Sequence, residues 1–300
     1  MVAGDSPAFD ERREAQLTST ESLIQDISDT ALWVAVYRAN ETDRPDAIFR
    51  DPFARRLAGT RGEQIAEQMG YRDRDSWPFV TRTWAFDNFI SEQIRSGADT
   101  VVNLAAGLDT RPYRMNLPSS LKWIEADLPA ILDYKEEILA QEKPVCSLER
   151  VRLDLRNLTA RHELFQRSAK GSSKVVIITE GLLAYLTPEE IGALATDLAQ
   201  PASFQNWVLD LMSPGLLRRL QQTKGSHLRK GIAELKFGPA EGPEYFVRYG
   251  WKPVEVRSML QTAARLKRLP FLMRILARLP ESNRRQGSRP WGGVCLYSKG

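Results

Sequence analysis

The feature that most constrains the fold of this chain is a regular alternation of apolar, strand-like runs with helical stretches between residues 100 and 211. Such alternation is typical of βαβ units, in which the strands pair in parallel and helices cover the faces of the sheet. We therefore predict an α/β fold with a mainly parallel sheet. The predicted strands are Thr100–Ala105, Leu121–Ala126, Val151–Leu155, Lys174–Thr179 and Asn206–Leu211, with a further strand at Gly293–Ser298.

One helix between these strands has both of its ends marked in the sequence. Thr187 suits the N-cap, Pro188 suits the first helical position, and Glu190 completes a capping box. Pro201 marks the end of the helix. The apolar residues between these signals share one helical face: Ile191, Leu194, Ala195 and Leu198.

The segments outside the alternation also have helical character. Leu32, Ala35 and Val36 form an apolar stripe, and Ile65 with Ala66 begins another. We expect residues 1–98 to form an N-terminal helical cap and residues 99–300 to form the main domain. Within that domain, the Gly- and Pro-punctuated segment at about residues 213–250 is expected to be an inserted lid.

Composition excludes several classes of protein. Hydrophobic residues make up 42% of the chain and charged residues 27%, as in an ordinary globular protein. The sequence has no apolar signal segment at its start, no uninterrupted apolar run long enough for a membrane span and only two cysteines, so we predict a cytoplasmic protein. Two scattered histidines argue against a zinc site, and no metal is expected. The GxSxG and P-loop motifs are absent.

Charge is unevenly distributed along the chain. Residues 1–50 carry 5 basic and 10 acidic side chains, whereas residues 251–300 carry 11 basic and 2 acidic ones. The basic end could contact nucleic acid, a membrane surface or an anionic substrate. Pro270 interrupts its amphipathic stretch, so we expect the solvated face of a packed helix there, and no nucleic-acid partner or stable membrane association. An anionic small molecule is the favoured functional explanation.

Acidic residues follow several of the predicted strands, at the edge where open α/β sheets bind ligands. Asp127 and Glu180 come directly after the second and fourth strands, and Asp154 lies in the third. The first strand ends in a turn of small residues, Ala105 to Gly107, which lets the backbone approach a ligand. Carboxylates placed in this way can bind ribose hydroxyls and an adenine amino group.

The turn after the first strand distinguishes between cofactors. A dinucleotide site favours GxGxxG, which allows a pyrophosphate to lie on a helix N-terminus. The turn here lacks the first and third glycines, and Asp109 would repel a phosphate. A cationic ligand without phosphate, such as S-adenosyl-L-methionine, is therefore favoured. An NAD-type Rossmann oxidoreductase and a non-catalytic S-adenosylmethionine-binding protein remain alternatives.

Four motifs in order give the chain a specific resemblance. They are Val102–Arg111 (VNLAAGLDTR), Glu125–Pro129 (EADLP), Asp154-Leu155 and Thr179–Glu189 (TEGLLAYLTPE). The sequence resembles the leucine carboxyl methyltransferase family, in particular its bacterial branch of S-adenosyl-L-methionine-dependent methyltransferases, which includes polyketide carboxyl O-methyltransferases. The resemblance extends over nearly the whole chain from about residue 28 and implies a Rossmann-like class I methyltransferase fold with a seven-stranded sheet.

The resemblance also implies a cofactor site. It assigns the turn beside the cofactor to Ala105 and Gly107, and the ribose-binding acid to Asp127. Asp154 and Leu155 would contact the adenine, and Glu180 would lie near the methionine portion. Arg82 would contact the cofactor carboxylate, with Arg38 as a second such contact. Ala105 stands where relatives often have glycine, which implies a tighter fit. Tyr185 is expected to line the pocket rather than transfer a proton.

The predicted reaction is O-methylation of a carboxylate on a small molecule. A carboxyl group is already ionised at pH 7, so no general base and no catalytic side chain are predicted. Other roles remain open for some residues: Asp127 could cap the following helix, Asp154 could belong to a turn, and Asp109 could pair with Arg111 instead of contacting a ligand.

Overall fold

A twisted sheet of seven strands forms the centre of the computed structural model, which describes residues 29–70, 76–229, 234–278, 287 and 289–300. The order of the strands is β3-β2-β1-β4-β5-β7-β6, and β7 runs in the direction opposite to the other six strands. The strands are β1 (Thr100–Leu104), β2 (Lys122–Asp127), β3 (Ser147–Arg152), β4 (Val175–Thr179), β5 (Phe204–Met212), β6 (Trp251–Ser258) and β7 (Gly292–Lys299).

The two edge strands are where the sequence prediction was wrong. β3 begins at Ser147, four residues before the predicted start at Val151, and it ends at Arg152 rather than Leu155. β6 was not predicted as a strand. Both carry charged side chains, and β6 contains Pro253, which is typical of edge strands with one exposed side. The central strands were predicted to within two residues at each end.

Helices cover both faces of the sheet, as the α/β prediction requires. Ten α-helices lie in the described ranges: α1 (Asp29–Thr42), α2 (Ala54–Gln68), α3 (Trp77–Arg95), α4 (Arg111–Arg114), α5 (Pro129–Ile138), α6 (Leu158–Ala169), α7 (Pro188–Leu198), α8 (Pro214–Arg229), α9 (Met259–Arg265) and α10 (Phe271–Leu276). Two 3₁₀ segments, Leu183–Tyr185 and Gly242–Tyr249, complete the list. None of the described helices is long and apolar enough to cross a membrane.

The strand pleat divides the sheet's apolar side chains between two cores. In β4, Val175 and Ile177 pack with α6, α7 and the second 3₁₀ segment, while Val176 and Ile178 pack with α3 on the opposite face. β4 is therefore buried on both sides, which explains its unbroken apolar sequence.

Helix α7 forms as the sequence predicts. Thr187 caps it by accepting a hydrogen bond from the Glu190 amide, and the Glu190 side chain accepts one from the Thr187 amide in return. The four residues of the predicted apolar face are all buried in the core. The capping box and the apolar face together fix where the helix begins and which side packs on the sheet.

The N-terminal helices share cores with the sheet domain. Leu32 and Val36 of α1 pack in one cluster with Leu108 and Ile131, which follow β1 and β2. Phe86 of α3 packs on the sheet itself. The N-terminal cap is thus part of the wall beside the carboxyl ends of the strands, and the boundary between residues 98 and 99 remains a proposal.

The basic C-terminal region does not form the packed helix that the sequence favoured. Lys267 and Pro270 separate α9 from α10, and the apolar side chains of Phe271, Leu272 and Ile275 on α10 are exposed. Arg268 instead forms ion pairs with Glu41 at 2.8 Å and with Asp46 at 3.0 Å. The basic end and the acidic start therefore neutralise each other at this contact, which explains part of the charge asymmetry without a ligand.

Candidate active site

A cavity of about 470 Å³ lies at the carboxyl ends of β1, β2 and β4. In this sheet order the connections from β1 and β4 leave toward opposite faces, and ligands of open α/β folds bind in the crevice that results. Its volume is within the range of small-molecule sites. All the predicted site residues line it: Arg82, Ala105, Gly107, Asp127, Asp154, Leu155, Glu180 and Tyr185.

The turn after β1 brings main-chain atoms to the cavity wall. Ala105 and Gly107 both have positive φ angles, of 53° and 48°. Glycine adopts this left-handed conformation readily, whereas alanine does so at a cost of about 1 kcal/mol. Ala105 is therefore held in a strained conformation beside the cavity.

Asp127 fastens this turn to the end of β2. Its carboxylate accepts hydrogen bonds from the Gly107 amide at 2.6 Å and from the Leu128 amide at 2.7 Å. Burial raises the pKa of Asp127, and the two amide hydrogen bonds act in the opposite direction. Leu128, not Asp127, occupies the N-cap position of α5. The alternative role as a helix cap is therefore not observed, and the carboxylate faces the cavity with two main-chain partners.

Glu180 lies between two arginines at the end of β4. It accepts hydrogen bonds from Arg82 at 3.1 Å and from Arg111 at 2.8 Å. Arg82 also contacts Asp210 of β5 at 3.4 Å, and Asp210 accepts a hydrogen bond from the Gly181 amide at 2.7 Å. The cationic partner that a largely enclosed glutamate needs is thus supplied by the protein itself.

Gly181 is needed for this close approach. Its φ angle is +70°, and a Cβ atom there would lie 3.2 Å from an Arg82 guanidinium nitrogen. Burial raises the pKa of Asp210, and the nearby Glu180 carboxylate raises it further, against the attraction of Arg82. The arginine therefore holds two carboxylates together that would otherwise repel each other.

Arg111 continues the network on the other side of Glu180. Its buried guanidinium group contacts Asp87 at 2.6 Å and Asp109 at 2.9 Å as well. Burial alone would raise the pKa of Asp109, but the attraction of the nearby cations, with Arg111 the strongest, and the hydrogen bond from the Arg111 amide together outweigh it and lower that pKa to about 2. Asp109 also accepts a hydrogen bond from the Arg111 amide at the start of α4. Pairing of Asp109 with Arg111, one of the two roles left open by the sequence, is therefore present.

Asp154 and Leu155 lie two residues and three residues beyond β3, in a loop and not in the strand as predicted. The Asp154 carboxylate pairs with the Arg156 side chain at 2.7 Å, and 75% of that arginine side chain is exposed. The hydrogen bond from Arg156 lowers the pKa of Asp154. This end of the cavity is more open and is held by fewer contacts than the end at Glu180.

The cap contributes an aromatic wall. Trp33 of α1 and Phe79 of α3 both line the cavity, with their ring centroids 5.1 Å apart. Tyr37 stacks on Phe79 at 4.5 Å and accepts a hydrogen bond from the Trp33 indole N–H at 2.9 Å. Arg38, a possible cofactor contact by resemblance, pairs with Asp51 at 2.9 Å and donates to the Leu108 carbonyl.

Sequence reasoning missed the residues that complete the charge network. Asp87 and Arg114 form an ion pair at 2.7 Å, and Asp210 contacts Arg82. Asp210 could have been found from the sequence, because it is a carboxylate inside the otherwise apolar strand β5. Asp87 on α3 has no such feature in its surrounding sequence. Lys236, in the segment between α8 and the second 3₁₀ helix, also lines the cavity. No metal-binding cluster of His, Cys, Asp or Glu occurs within the described ranges.

Comparison with known proteins identifies the family. Residues 31–199, more than half of the chain, match the leucine carboxyl methyltransferase family. The chain belongs to this family. A protein of Rhodococcus jostii designated a candidate S-adenosyl-L-methionine-dependent methyltransferase is 30% identical over 279 residues, which cover 86% of this chain and 94% of that protein. A similarly designated Streptomyces coelicolor protein is 31% identical over 74% of this chain and 82% of its own length.

Solved structures agree on the fold of this methyltransferase. A candidate methyltransferase from Thermobifida fusca has a TM-score of 0.56 and 15% identity, over 92% of this chain and 96% of the other. A DUF574 family protein from Streptomyces avermitilis has a TM-score of 0.54 and 11% identity, over 89% and 97%. The family and the relatives therefore support a methyltransferase over the NAD-type oxidoreductase alternative.

Proposed function

We propose that this S-adenosyl-L-methionine-dependent methyltransferase methylates a carboxylate oxygen of a small molecule. The observation that carries the proposal is the state of the cavity's ionisable groups. No histidine is found among the described residues that line it, and burial raises the pKa of Tyr185, which keeps its hydroxyl protonated at neutral pH. An acceptor that is already ionised at pH 7 needs no base, and a carboxylate is such an acceptor.

The carboxylates of the cavity are also poorly placed to act as bases. Glu180 is bonded to two arginines, Asp109 has a pKa of about 2, and both Asp127 oxygens accept main-chain hydrogen bonds. A neutral alcohol or a protonated amine acceptor would require one of them to take a proton. This arrangement favours an acceptor that arrives without the proton.

The residues present fit the cofactor. We assign the ribose hydroxyls to Asp127, the adenine side to Asp154 and Leu155, and the methionine end to Glu180 and Arg82, beside the exposed backbone of Ala105 and Gly107. The network around Glu180 holds four carboxylates against three guanidiniums, Arg82, Arg111 and Arg114. Its excess negative charge complements the ammonium and sulfonium groups of the cofactor, while Arg82 suits the cofactor carboxylate.

Catalysis by this chain would then consist of alignment and exclusion of water. When bound, S-adenosyl-L-methionine supplies the methyl group: an O–C bond forms as the S–C bond breaks, and the electron pair of that bond neutralises the sulfur. Trp33 and Phe79 shield the cavity from solvent on the cap side. The paired side chains around Glu180 are fixed by several contacts each, so they keep the reacting groups in line without reorganising.

Substitution of Asp127 tests the cofactor assignment. We expect Asp127→Asn to weaken binding of S-adenosylhomocysteine at least about tenfold in calorimetry, because charge-assisted hydrogen bonds to the ribose would be lost. Asp133→Ala removes a carboxylate of α5 that is 61% exposed and paired with Arg152, so it serves as the control and should bind normally. Unchanged affinity in Asp127→Asn would disprove the assignment.

The chemical stability of the product tests the acceptor. We expect methyl transferred from labelled cofactor to appear in an ester, which mild alkali hydrolyses to methanol. Screening of metabolite extracts for labelled product would supply the material. A labelled product that resists alkali would mean methylation of a phenol, an amine or carbon, and would overturn the carboxylate proposal.

A further inference from the structure

We propose that Lys236 binds the carboxylate of the acceptor, and that the acceptor is an aromatic carboxylic acid whose ring lies against Trp33 and Phe79. This inference rests on the proposed function and adds to it the substrate class and a specificity-determining residue. Three features of the cavity support it: the way the Lys236 backbone is held, the pairing of the other cations, and the shape of the aromatic wall.

The backbone at Lys236 is fixed while its side chain is free to reach a ligand. The Lys236 amide donates a hydrogen bond to the Ala184 carbonyl at 2.7 Å, which ties the segment to the 3₁₀ turn that carries Tyr185. Leu235 and Phe237, the residues on either side, are buried in different apolar clusters. Lys236 itself is exposed and lines the cavity. A side chain held in this way extends from a rigid support into the site.

Lys236 also differs from the other cations of the cavity in its charge environment. Arg82, Arg111 and Arg114 are paired within the network around Glu180, Arg38 is paired with Asp51, and Arg156 is paired with Asp154. No carboxylate among the described residues lies within ion-pair distance of the Lys236 ammonium group. An anionic acceptor would therefore find this cation available, whereas the charge of each arginine is already offset by a carboxylate of the protein.

The aromatic wall favours a flat, apolar body on the acceptor. The Trp33 indole N–H is bonded to Tyr37, so the polar edge of that ring is satisfied and does not need a ligand. Phe79 is held by stacking on Tyr37, with an angle of 7° between the ring planes. Rings fixed in this way offer their remaining surface to an aromatic partner at little cost in side-chain entropy.

Binding and catalysis are to be measured separately on the full chain saturated with S-adenosylhomocysteine. The probes are benzoate, trans-cinnamate and 2-naphthoate, with the corresponding amides, titrated by ligand-observed NMR. We expect at least one acid to bind and its amide to bind more weakly. Lys236→Met should weaken binding of that acid about tenfold or more, and Lys236→Arg should restore most of it. Lys252→Met, which removes an exposed lysine of β6, should have no effect.

Three results would overturn the proposal: no acid of the panel binds the wild-type protein, Lys236→Met binds the acid as tightly as wild type, or Lys236→Met loses affinity for S-adenosylhomocysteine. The last would place Lys236 at the cofactor carboxylate. Adding labelled S-adenosyl-L-methionine separates this inference from the proposed function. If the carboxylic acid binds in a way that depends on Lys236 but no ester forms, carboxylate methylation alone is refuted. If an ester forms and Lys236→Met binds the acid as tightly as wild type, the role of Lys236 alone is refuted.

Discussion

The two ends of the cavity are built differently, although both present an acidic residue after a strand. At one end, Glu180 is bonded to two arginines that also hold Asp109 and Asp210, and none of these side chains is more than 15% exposed. At the other end, Asp154 has the exposed Arg156 as its ionic partner. An acidic residue beyond the carboxyl end of a strand is therefore mostly enclosed by the protein in one case and lies near the surface in the other.

The position of each strand explains the difference. β4 is central, so α3 supplies Arg82 to Glu180, and β5 on one side supplies Asp210, which contacts the same arginine. β3 is an edge strand with no neighbour on its outer side, and the loop after it has to find a partner within its own turn. We therefore expect changes near Glu180 to affect folding and changes near Asp154 to affect little except the ligand.

Removal of Arg111 should have the largest effect on stability. Arg111→Ala would leave Asp87, Asp109 and Glu180 without a shared buried cation, and breaking such a pair costs about 3–5 kcal/mol. Urea unfolding followed by tryptophan fluorescence measures this loss. A loss below about 1 kcal/mol would show that the network is solvated and that the contrast between the two ends is wrong.

The second-largest effect on stability should come from acid, which weakens the ion pairs around Glu180. Asp109 has a pKa of about 2 in the folded protein against an ordinary value of 3.8, so its ionised form stabilises the fold above pH 4. That contribution, about 2 kcal/mol, should disappear as the pH falls from 4 through 2. The unfolding free energy measured across this range should fall less steeply in Asp109→Asn. If the unfolding free energy falls equally steeply with pH in wild type and in Asp109→Asn, the low pKa of Asp109 is contradicted.

Removal of Arg156 should have the smallest effect. Arg156→Ala breaks an exposed ion pair, so the unfolding free energy should change by less than about 0.5 kcal/mol. Affinity for S-adenosylhomocysteine should stay the same or rise, because Asp154 no longer has a competing partner. A large loss of stability would mean that the edge is as tightly built as the centre, and a large loss of affinity would mean that Arg156 itself contacts the ligand.

The sequence predicted those parts of the site that depend on local order along the chain. Residues that follow a strand, such as Asp127 and Glu180, could be placed because parallel strands bring their carboxyl ends to one edge. Asp87 and Arg114 could not, since their pairing joins α3 to α4 and depends on how the helices pack. The prediction for the basic C-terminal region used only the sequence of that region. In the structure Arg268 forms an ion pair with Glu41, which lies more than two hundred residues earlier in the chain.

The place of β7 in the sheet has a consequence for synthesis on the ribosome. β7 is made after both β5 and β6, yet it lies between them in the sheet, so the outer edge of β5 stays unpaired until residues 292–299 emerge. About 80 residues separate the two strands, which corresponds to roughly 4–16 seconds at typical rates of translation. During that interval Trp207 and Val208 lack their β7 partners, and the unpaired edge of β5 is open to mispairing with other strands.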